Sequence, residues 1–179
     1  MSRTFVIADT HFSHRGICKF LRPDGTKLRP WDHTDGEEGM DKALINNWNK
    51  VVKLDDKVYH LGDVAMNRRA LPLLYHLNGR KVLVKGNHDL FKLDEYKLYF
   101  EEIYGVVGLK EMVFSHIPLH PASVKRWGVN VHGHTHAGNI ADPAYICVSV
   151  EQINYTPMDF EELRELVFER KKSICQKEK

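Results

Sequence analysis

The sequence predicts one layered domain of the α/β or α+β class. Six short apolar runs rich in β-branched residues have the composition of strands, and they alternate with segments whose apolar residues recur at helical spacing. The length of 179 residues, 42% of them hydrophobic, fits one domain with a core of ordinary size. We therefore assign residues 1–170 to a single domain and residues 171–179, which are mostly charged, to a flexible C-terminal tail.

The individual elements follow from spacing and composition. Strands are predicted at residues 4–8, 57–61, 81–84, 112–115, 129–132 and 145–150. Helical spacing is found at Met40, Leu44, Trp48 and Val51, at Tyr96, Tyr99, Phe100 and Ile103, and at Phe160, Leu163, Leu166 and Val167. Residues 68–77 also have helical character, with Pro72 expected to bend that helix or to mark its start. Residues 22–39 contain several Gly and Pro and no periodicity, so we expect a surface excursion of the kind that forms functional lids.

Charge and composition exclude several classes of protein. The 26 Lys and Arg residues against 24 Asp and Glu give a net charge of +2, so binding of duplex DNA through bulk positive charge is not expected. No stretch approaches the ~18 apolar residues of a membrane span, and the N-terminus lacks the apolar region of a signal peptide. Three widely separated cysteines do not form a disulfide framework. These features predict a cytoplasmic protein that does not bind membranes.

Potential metal ligands follow five of the predicted strands, and histidine is frequent, with 11 residues. The segments are, in chain order, Asp9-Thr10-His11, Gly62-Asp63, Gly86-Asn87-His88-Asp89, His116 and Gly133-His134-Thr135-His136. Sites assemble at the carboxyl ends of strands in α/β sheets, and glycine allows the backbone to turn sharply there. Each segment alone could equally be an ordinary turn or a solvated strand face. That five such segments follow five strands in this order by chance is improbable.

Together, in this order, the five segments resemble the motifs of the calcineurin-like metallophosphoesterase superfamily, in particular its small single-domain members of bacterial and phage type. The motifs span residues 9–136, and the closing strand and helix, to about residue 170, also fit. The resemblance implies an α/β fold of two mixed β-sheets packed as a sandwich and flanked by helices. It also implies two metal ions at the strand ends.

The resemblance assigns a role to each motif residue. Asp9, His11 and His136 would hold the first metal, Asn87, His116 and His134 the second, and Asp63 would bridge both. His88 would not be a ligand but would face the phosphate and donate a proton to the leaving oxygen. Asp89 next to it either orients an imidazole or stabilises the turn.

The implied cofactors are two divalent transition-metal ions, with Mn as the first choice and Fe, Zn, Ni or Co as alternatives. Imidazole, carboxylate and amide ligands suit such ions better than Ca or Mg, and no cysteine lies in the motifs. Two such ions generate a bridging hydroxide by lowering the pKa of water toward ~7, and they clamp a phosphoryl oxygen.

Two further residues are candidate substrate contacts. His14 lies three residues after His11, and Arg68 follows the Gly-Asp segment. Arg68 is more ordinarily explained as a solvated residue at a helix start. The expected substrate is a small phosphoester, such as a nucleotide or a short RNA end, and the oligomeric state is left open.

Three functions are weighed on this pattern. The first is a metal-dependent phosphoesterase, with a phosphodiesterase favoured over a phosphomonoesterase by the resemblance alone. The second is a non-catalytic binding scaffold on the same fold, known from a retromer subunit that has lost the catalytic histidine, whereas His88 is present here. The third is a nuclease of the double-strand-break repair type, which would need capping and DNA-binding regions for which this chain has no room.

Overall fold

The computed structural model describes residues 2–31, 36–109 and 111–177, which form two β-sheets and flanking helices. The strands are β1 (Thr4–Ile7), β2 (Lys57–His60), β3 (Arg80–Val84), β4 (Glu102–Tyr104), β5 (Val106–Leu109), β6 (Met112–Ser115), β7 (Val129–His132), β8 (Tyr145–Cys147) and β9 (Met158–Asp159). The α-helices are α1 (Gly36–Val51), α2 (Leu93–Tyr96), α3 (Pro121–Val124) and α4 (Phe160–Lys177), and 3₁₀ helices lie at Ile17–Lys19 and Arg68–His76.

Both sheets are mixed, which confirms the predicted architecture. The first has the strand order β4-β3-β2-β1-β9, with only β9 antiparallel to its neighbour. The second has the order β5-β6-β7-β8, with only β5 antiparallel. An isolated parallel bridge between Ala8 and Ser149 joins the two sheets. The carboxyl ends of strands from both sheets therefore meet in one region.

The core lies between the sheets and under α1. In β1, the consecutive residues Phe5, Val6 and Ile7 are all buried, as expected for a parallel strand that is covered on both faces. The ring of Tyr59 on β2 packs edge-on against that of Phe114 on β6, with centroids 5.4 Å apart. Tyr59 and Phe114 thus bring the two sheets into direct contact.

The predicted helix at residues 40–51 is confirmed as α1, and its apolar positions explain its placement. Met40, Leu44 and Trp48 recur every four residues and are all buried. The indole Nε1 of Trp48 donates a 2.9 Å hydrogen bond to the carbonyl of Asn78, so the polar edge of this buried ring is satisfied.

The predicted helix through Tyr96, Tyr99, Phe100 and Ile103 is wrong. Tyr96 and Phe100 do share a buried face, but α2 has only four residues, and Ile103 belongs to β4, where it pairs with Leu83 of β3. Pairing at the edge of the first sheet therefore prevails over local helical spacing. The strands β4, β5 and β9 were not predicted, since they are short and all three lie at sheet edges.

Two other predictions need correction. Pro72 lies inside the 3₁₀ helix Arg68–His76, so it does not mark the start of that helix, and the bend that was the other expectation stays a prediction. The amide oxygen of Asn67 caps the helix at the backbone N–H of Ala70, 3.1 Å away. The excursion at residues 22–39 is not confined to the surface, because Arg29 is completely buried. Residues 32–35 of this segment lie outside the described residues.

The C-terminal helix α4 extends to Lys177, into the segment for which flexibility is predicted, and residues 178–179 lie outside the described ranges. The flexible tail stays a prediction. None of the helices in the described part of the chain combines the length and the apolar content that a membrane span requires.

Candidate metal centre

The side chains that follow β1, β2, β6 and β7 converge into two groups of potential metal ligands. Within each group, one ligand atom from every residue lies within 4.8 Å of the others. The first group is Asp9, His11 and His136, and the second is Asp63, His116 and His134. The structure thus brings together six residues that the sequence singles out, from strands of both sheets.

The backbone at these residues is in an uncommon conformation. Non-glycine residues rarely adopt a positive φ, and they do so where the surrounding structure holds them there, often at functional sites. Five of the six ligand residues have φ values between +48° and +68°: Asp9, His11, Asp63, His134 and His136. The turn after each of these strands is therefore shaped to direct a side chain into the centre.

Two glycines allow the strand ends to approach closely. A Cβ at Gly62, where φ is +90°, would lie 2.5 Å from the backbone nitrogen of Gly86. A Cβ at Gly133 would lie 2.5 Å from the Oδ2 of Asp9. Any side chain at either position would force the ligand-bearing turns apart.

Asp9 presents one fixed and one unpaired carboxylate oxygen. Its Oδ2 accepts hydrogen bonds from the Ser149 hydroxyl at 2.7 Å and from the backbone N–H of His134 at 2.9 Å. Its Oδ1 and both ring nitrogens of His11 are buried without a hydrogen-bond partner. Buried polar atoms are rarely left in this state, and these atoms fit the ligand sphere of a cation.

Burial explains the titration of these two residues. It raises the pKa of Asp9 to about 6, against the lowering effects of His136, His116 and the hydrogen bond from Ser149. Burial, with the nearby charge of Arg29, holds the pKa of His11 well below its ordinary value. His11 is therefore neutral at pH 7, as a metal-binding imidazole must be.

His136 is oriented by Glu151, which is itself held by a buried cation. The Nδ1 of His136 lies 3.1 Å from the Oε1 of Glu151, and the same oxygen accepts a 2.7 Å hydrogen bond from the Nε of Arg29. Arg29 also donates to the backbone carbonyls of Asp9, at 2.6 Å, and Thr10, at 2.9 Å. Arg29 and Glu151 thus hold the backbone of the first turn and the ring of His136 in one buried network.

The network accounts for two opposite pKa shifts. Burial alone would lower the pKa of His136, but the hydrogen bond and charge of Glu151 outweigh it and raise that pKa. Burial alone would raise the pKa of Glu151, but the hydrogen bond from His136 and the charge of Arg29 lower it instead. Donation from Nδ1 to this carboxylate leaves the Nε2 of His136 as the free ligand atom, the usual arrangement behind a metal-binding histidine.

Asp63, a member of the second group, also adjoins the first. Its Oδ2 is 3.3 Å from the Nε2 of His116 and 3.5 Å from the Nε2 of His11, while its Oδ1 accepts a 2.8 Å hydrogen bond from the backbone N–H of His88. Burial would raise its pKa, but the hydrogen bond and charge of His116 and the N–H of His88 lower it to about 2. Asp63 is therefore ionised at neutral pH and placed where one carboxylate can serve both groups.

Asn87 joins the second group through His116. The Nδ1 of His116 lies 2.7 Å from the carbonyl of Leu61, to which it can only donate, and its Nε2 lies 2.8 Å from the Oδ1 of Asn87. In a neutral ring this leaves two lone pairs facing each other. A cation shared by the two atoms, whether a proton or a metal ion, resolves that conflict.

Asp89 stabilises the turns rather than an imidazole. Its carboxylate is buried and accepts hydrogen bonds from the backbone N–H groups of Asp63, Val64 and Gly86, at 2.8–3.0 Å. It ties the turn after β2 to the turn after β3. Of the two roles considered for it from the sequence, the structure supports the second.

The remaining predicted site residues differ in their proximity to the centre. The rings of His88 and His14 lie 5.7 and 5.5 Å from the ring of His11, and the side chain of His88 is exposed. The Nδ1 of His14 accepts a 2.7 Å hydrogen bond from the backbone of Ile17, which fixes its ring. Arg68 is exposed and forms an ion pair with Glu95, so the structure does not bring its charge to the cluster.

Sequence reasoning missed three residues of the centre: Arg29, Ser149 and Glu151. Glu151 directly follows the sixth predicted strand, so the rule that found the other ligands applies to it as well. The predicted strand at residues 145–150 includes Ser149, whereas β8 ends at Cys147. Arg29 lies in a Gly- and Pro-rich segment that predicts exposure, and nothing local signals its burial.

Comparisons with known proteins agree with this geometry. A model of the calcineurin-like phosphoesterase family matches residues 2–176. An uncharacterized protein from Methanocaldococcus jannaschii is 33% identical over 182 residues, which cover 93% of this chain and 92% of that protein. The gene 66 protein of Mycobacterium phage L5 is 30% identical over 125 residues, 65% of this chain and 52% of the phage protein. The crystal structure of a protein of unknown function from Aquifex aeolicus aligns with a TM-score of 0.71 at 26% identity, over 93% of this chain and 100% of that chain.

Proposed function

The chain belongs to the calcineurin-like phosphoesterase family, and on that premise we propose that it is a phosphodiesterase that uses two divalent metal ions and acts on a small nucleotide or a similar diester. One observation carries the proposal. Two compact groups of potential ligand atoms adjoin each other at the Asp63 carboxylate, which belongs to the second group and lies 3.5 Å from His11 of the first. In the first group, the Oδ1 of Asp9 and both ring nitrogens of His11 are buried without a hydrogen-bond partner.

We assign the ligands by group. Asp9, His11 and His136 would hold the first ion, Asn87, His116 and His134 the second, and Asp63 would contact both. When bound, two such ions lower the pKa of a water molecule and offset the negative charge that develops on the phosphoryl group. Nitrogen and oxygen donors suit Mn, Fe, Co, Ni or Zn, and we propose Mn as the first ion to test.

His88 is proposed to assist the departure of the leaving group. Hydrolysis forms one P–O bond from water and breaks one ester P–O bond, and His88 donates its proton to the departing oxygen. The proton released by the attacking water then restores His88, and the products are a monoester and an alcohol. The hydrogen bond from the His88 backbone to Asp63 fixes this residue relative to the proposed ligands, and an imidazole is a common proton donor in catalysis.

His14 is proposed as a substrate contact at the edge of the first group. Its ring is fixed by Ile17 and lies beside that of His11. For Arg68 the same role would require it to leave Glu95, so we place it second to His14.

Hydrolysis by metal-stripped protein tests the proposal directly. After EDTA treatment, the protein should cleave neither bis-p-nitrophenyl phosphate nor p-nitrophenyl phosphate, and added Mn²⁺ should restore turnover of the diester in particular. Preference for the monoester would make the protein a phosphomonoesterase with the same site. Absence of turnover with metal demonstrably bound would favour the non-catalytic scaffold, although the presence of His88 argues against it.

Two variants test the residue assignments. Asp63→Asn and His88→Ala should both keep the fold by circular dichroism. Asp63→Asn should lose bound metal together with turnover, whereas His88→Ala should keep the metal and lose turnover by about 10²–10⁴-fold, the usual contribution of a general acid. Wild-type rates in either folded variant would contradict its assigned role.

A further inference from the structure

Two cavities adjoin the candidate centre, one beside each ligand group. The first, which we call the hairpin cavity, has a volume of about 500 Å³ and lies between residues 21–28 and residues 135–138, with His136 in its wall. The second, the β6 cavity, has a volume of about 290 Å³ and is lined by Asn87, His116 and residues that follow β3, β4 and β6. The centre therefore has space for a substrate on both sides.

The wall of the hairpin cavity is an ordered part of the fold. Leu21 pairs with Lys27, and the backbone N–H of Arg22 donates a 2.7 Å hydrogen bond to the carbonyl of Thr26. Leu28 closes the hairpin with a 2.8 Å hydrogen bond from its backbone N–H to the carbonyl of Phe20. The next residue, Arg29, is buried against Glu151 and the turn after β1. The hairpin is thus fastened to the same network that positions His136, and its wall keeps a fixed position relative to the first ligand group.

The chemistry of the hairpin cavity suits an organic group of nucleoside size. Leu21, Pro23, Leu28 and Ala137 supply apolar surface, while Arg22 adds one cation and Asp24 one anion. Cavities that bind small molecules have about 300–1,000 Å³ and mostly apolar walls with few polar groups. Leu21 is 63% exposed, so a ring bound in the cavity could cover part of its apolar surface.

The β6 cavity is smaller and also partly apolar. Val106 and Ile117 in its wall are each about half exposed, and Lys85 adds one cation. Gly105 lies in the same wall, and a Cβ there would meet no atom within 4 Å, so the wall is open at this point. A group no larger than a single ring fits this volume better than a nucleoside.

We propose that the two cavities receive the two ester groups of one phosphodiester, with a nucleoside-like group in the hairpin cavity and a smaller group in the β6 cavity. This inference rests on the proposed function, since the phosphoryl group must lie at the centre between them. A monoester fills only one cavity, so the arrangement assigns the diester as the substrate class. Leu21 and Gly105 are then specificity-determining positions rather than catalytic residues.

The test compares substrates that share a leaving group. The p-nitrophenyl ester of thymidine 5′-monophosphate and methyl p-nitrophenyl phosphate differ only in the second ester group. In the Mn²⁺-loaded wild type, we expect a higher kcat/KM for the thymidine ester. Leu21→Ala should lower the ratio of the two kcat/KM values by about five- to tenfold, through a higher KM for the thymidine ester, because it removes apolar contact surface. Leu98→Ala is the matched control, since Leu98 is 64% exposed and lines neither cavity, and it should leave the ratio unchanged.

A second variant tests the β6 cavity. Gly105→Phe places a ring in the open part of its wall and should lower the ratio of kcat/KM for bis-p-nitrophenyl phosphate to that for p-nitrophenyl phosphate by about tenfold, the scale on which pockets discriminate by size. Wild-type turnover with substrate ratios that neither variant changes would overturn the two-cavity assignment and leave the phosphoesterase proposal intact. No metal-dependent turnover of any of the four esters by the wild type would overturn the proposed function and this inference with it.

Discussion

Replacing Glu151 with Gln should lower the free energy of unfolding of the metal-free protein by about 3–5 kcal/mol, the usual effect of removing one partner from a buried ion pair. Both side chains of the Arg29–Glu151 pair are 0% exposed and 2.7 Å apart. The variant leaves the guanidinium of Arg29 buried without a counterion. For a domain of this size, the loss corresponds to a decrease in Tm of about 6–20 °C.

The double variant Arg29→Met/Glu151→Leu separates charge pairing from packing. With both charges gone, neither must be desolvated on folding, so most of the lost stability should return. His136 nevertheless loses its acceptor, and we expect Mn²⁺ affinity to fall by about 10–100-fold, as for other residues that support a metal ligand. Urea unfolding followed by circular dichroism measures the first effect, and calorimetric titration with Mn²⁺ measures the second.

The exposed pair Glu161–Arg164 on α4 provides the control. Its side chains are 72% and 47% exposed, so Glu161→Gln should change the unfolding free energy by less than about 1 kcal/mol. Equal effects of Glu151→Gln and Glu161→Gln would refute the reasoning. The reasoning would also be refuted if the double variant lost as much unfolding free energy as Arg29→Met and Glu151→Leu lose in total when made singly.

Three further outcomes are expected. Gly62→Ala should prevent Mn²⁺ binding and lower the free energy of unfolding by several kcal/mol, because its Cβ would meet the backbone of Gly86. The control is Gly25→Ala, where φ is similar at +82° but the surrounding space is open, and it should cost only about 1–3 kcal/mol. Urea unfolding compares the two variants. Burial lowers the pKa of His60 to about 3, so between its unfolded value of 6.5 and pH 3 the unfolded state binds a proton that the folded state does not. At about 1.4 kcal/mol per pKa unit, the metal-free protein should lose up to about 5 kcal/mol of stability as the pH falls through that range, and His60→Phe should flatten this part of the pH–stability curve. Free Mn²⁺ at 100 times its Kd should raise the unfolding free energy by about 2.7 kcal/mol over EDTA-treated protein, and Asp63→Asn should abolish that increase in a thermal melt.

The sequence is informative about the candidate centre because the proposed ligands lie at or just after strand ends. Asp9, Asp63 and His116 each follow a run of buried apolar residues, and parallel strands bring such positions to the same edge. The family resemblance added the pairing of two sheets, which local patterns do not specify.

What the sequence did not predict depends on contacts between distant residues. The local sequence predicts that Arg29 is exposed, because the partner that allows its burial, Glu151, lies 122 residues away. The spacing of Ile103 from Tyr96 and Phe100 is helical and predicts the end of a helix. In the structure Ile103 belongs to a strand because it pairs with Leu83 of β3. In both cases the outcome depends on a partner distant in the sequence, which local patterns do not identify.

The hydrogen bond between Asp9 and Ser149 has a consequence for the order of events during synthesis. The two residues are 140 positions apart, so the ribosome completes most of the chain before Ser149 can reach Asp9. Until then Asp9 and His11 are present and Arg29 can support the backbone of their turn, but the Asp9 carboxylate lacks the hydrogen bond from Ser149. Closing so long a loop has an entropic cost that slows the formation of such contacts. A chain released before residue 149 would carry every proposed ligand and still lack Ser149, one of the two donors to the Oδ2 of Asp9, and Glu151, the acceptor that orients His136. Metal retention would thus discriminate finished molecules from prematurely terminated ones.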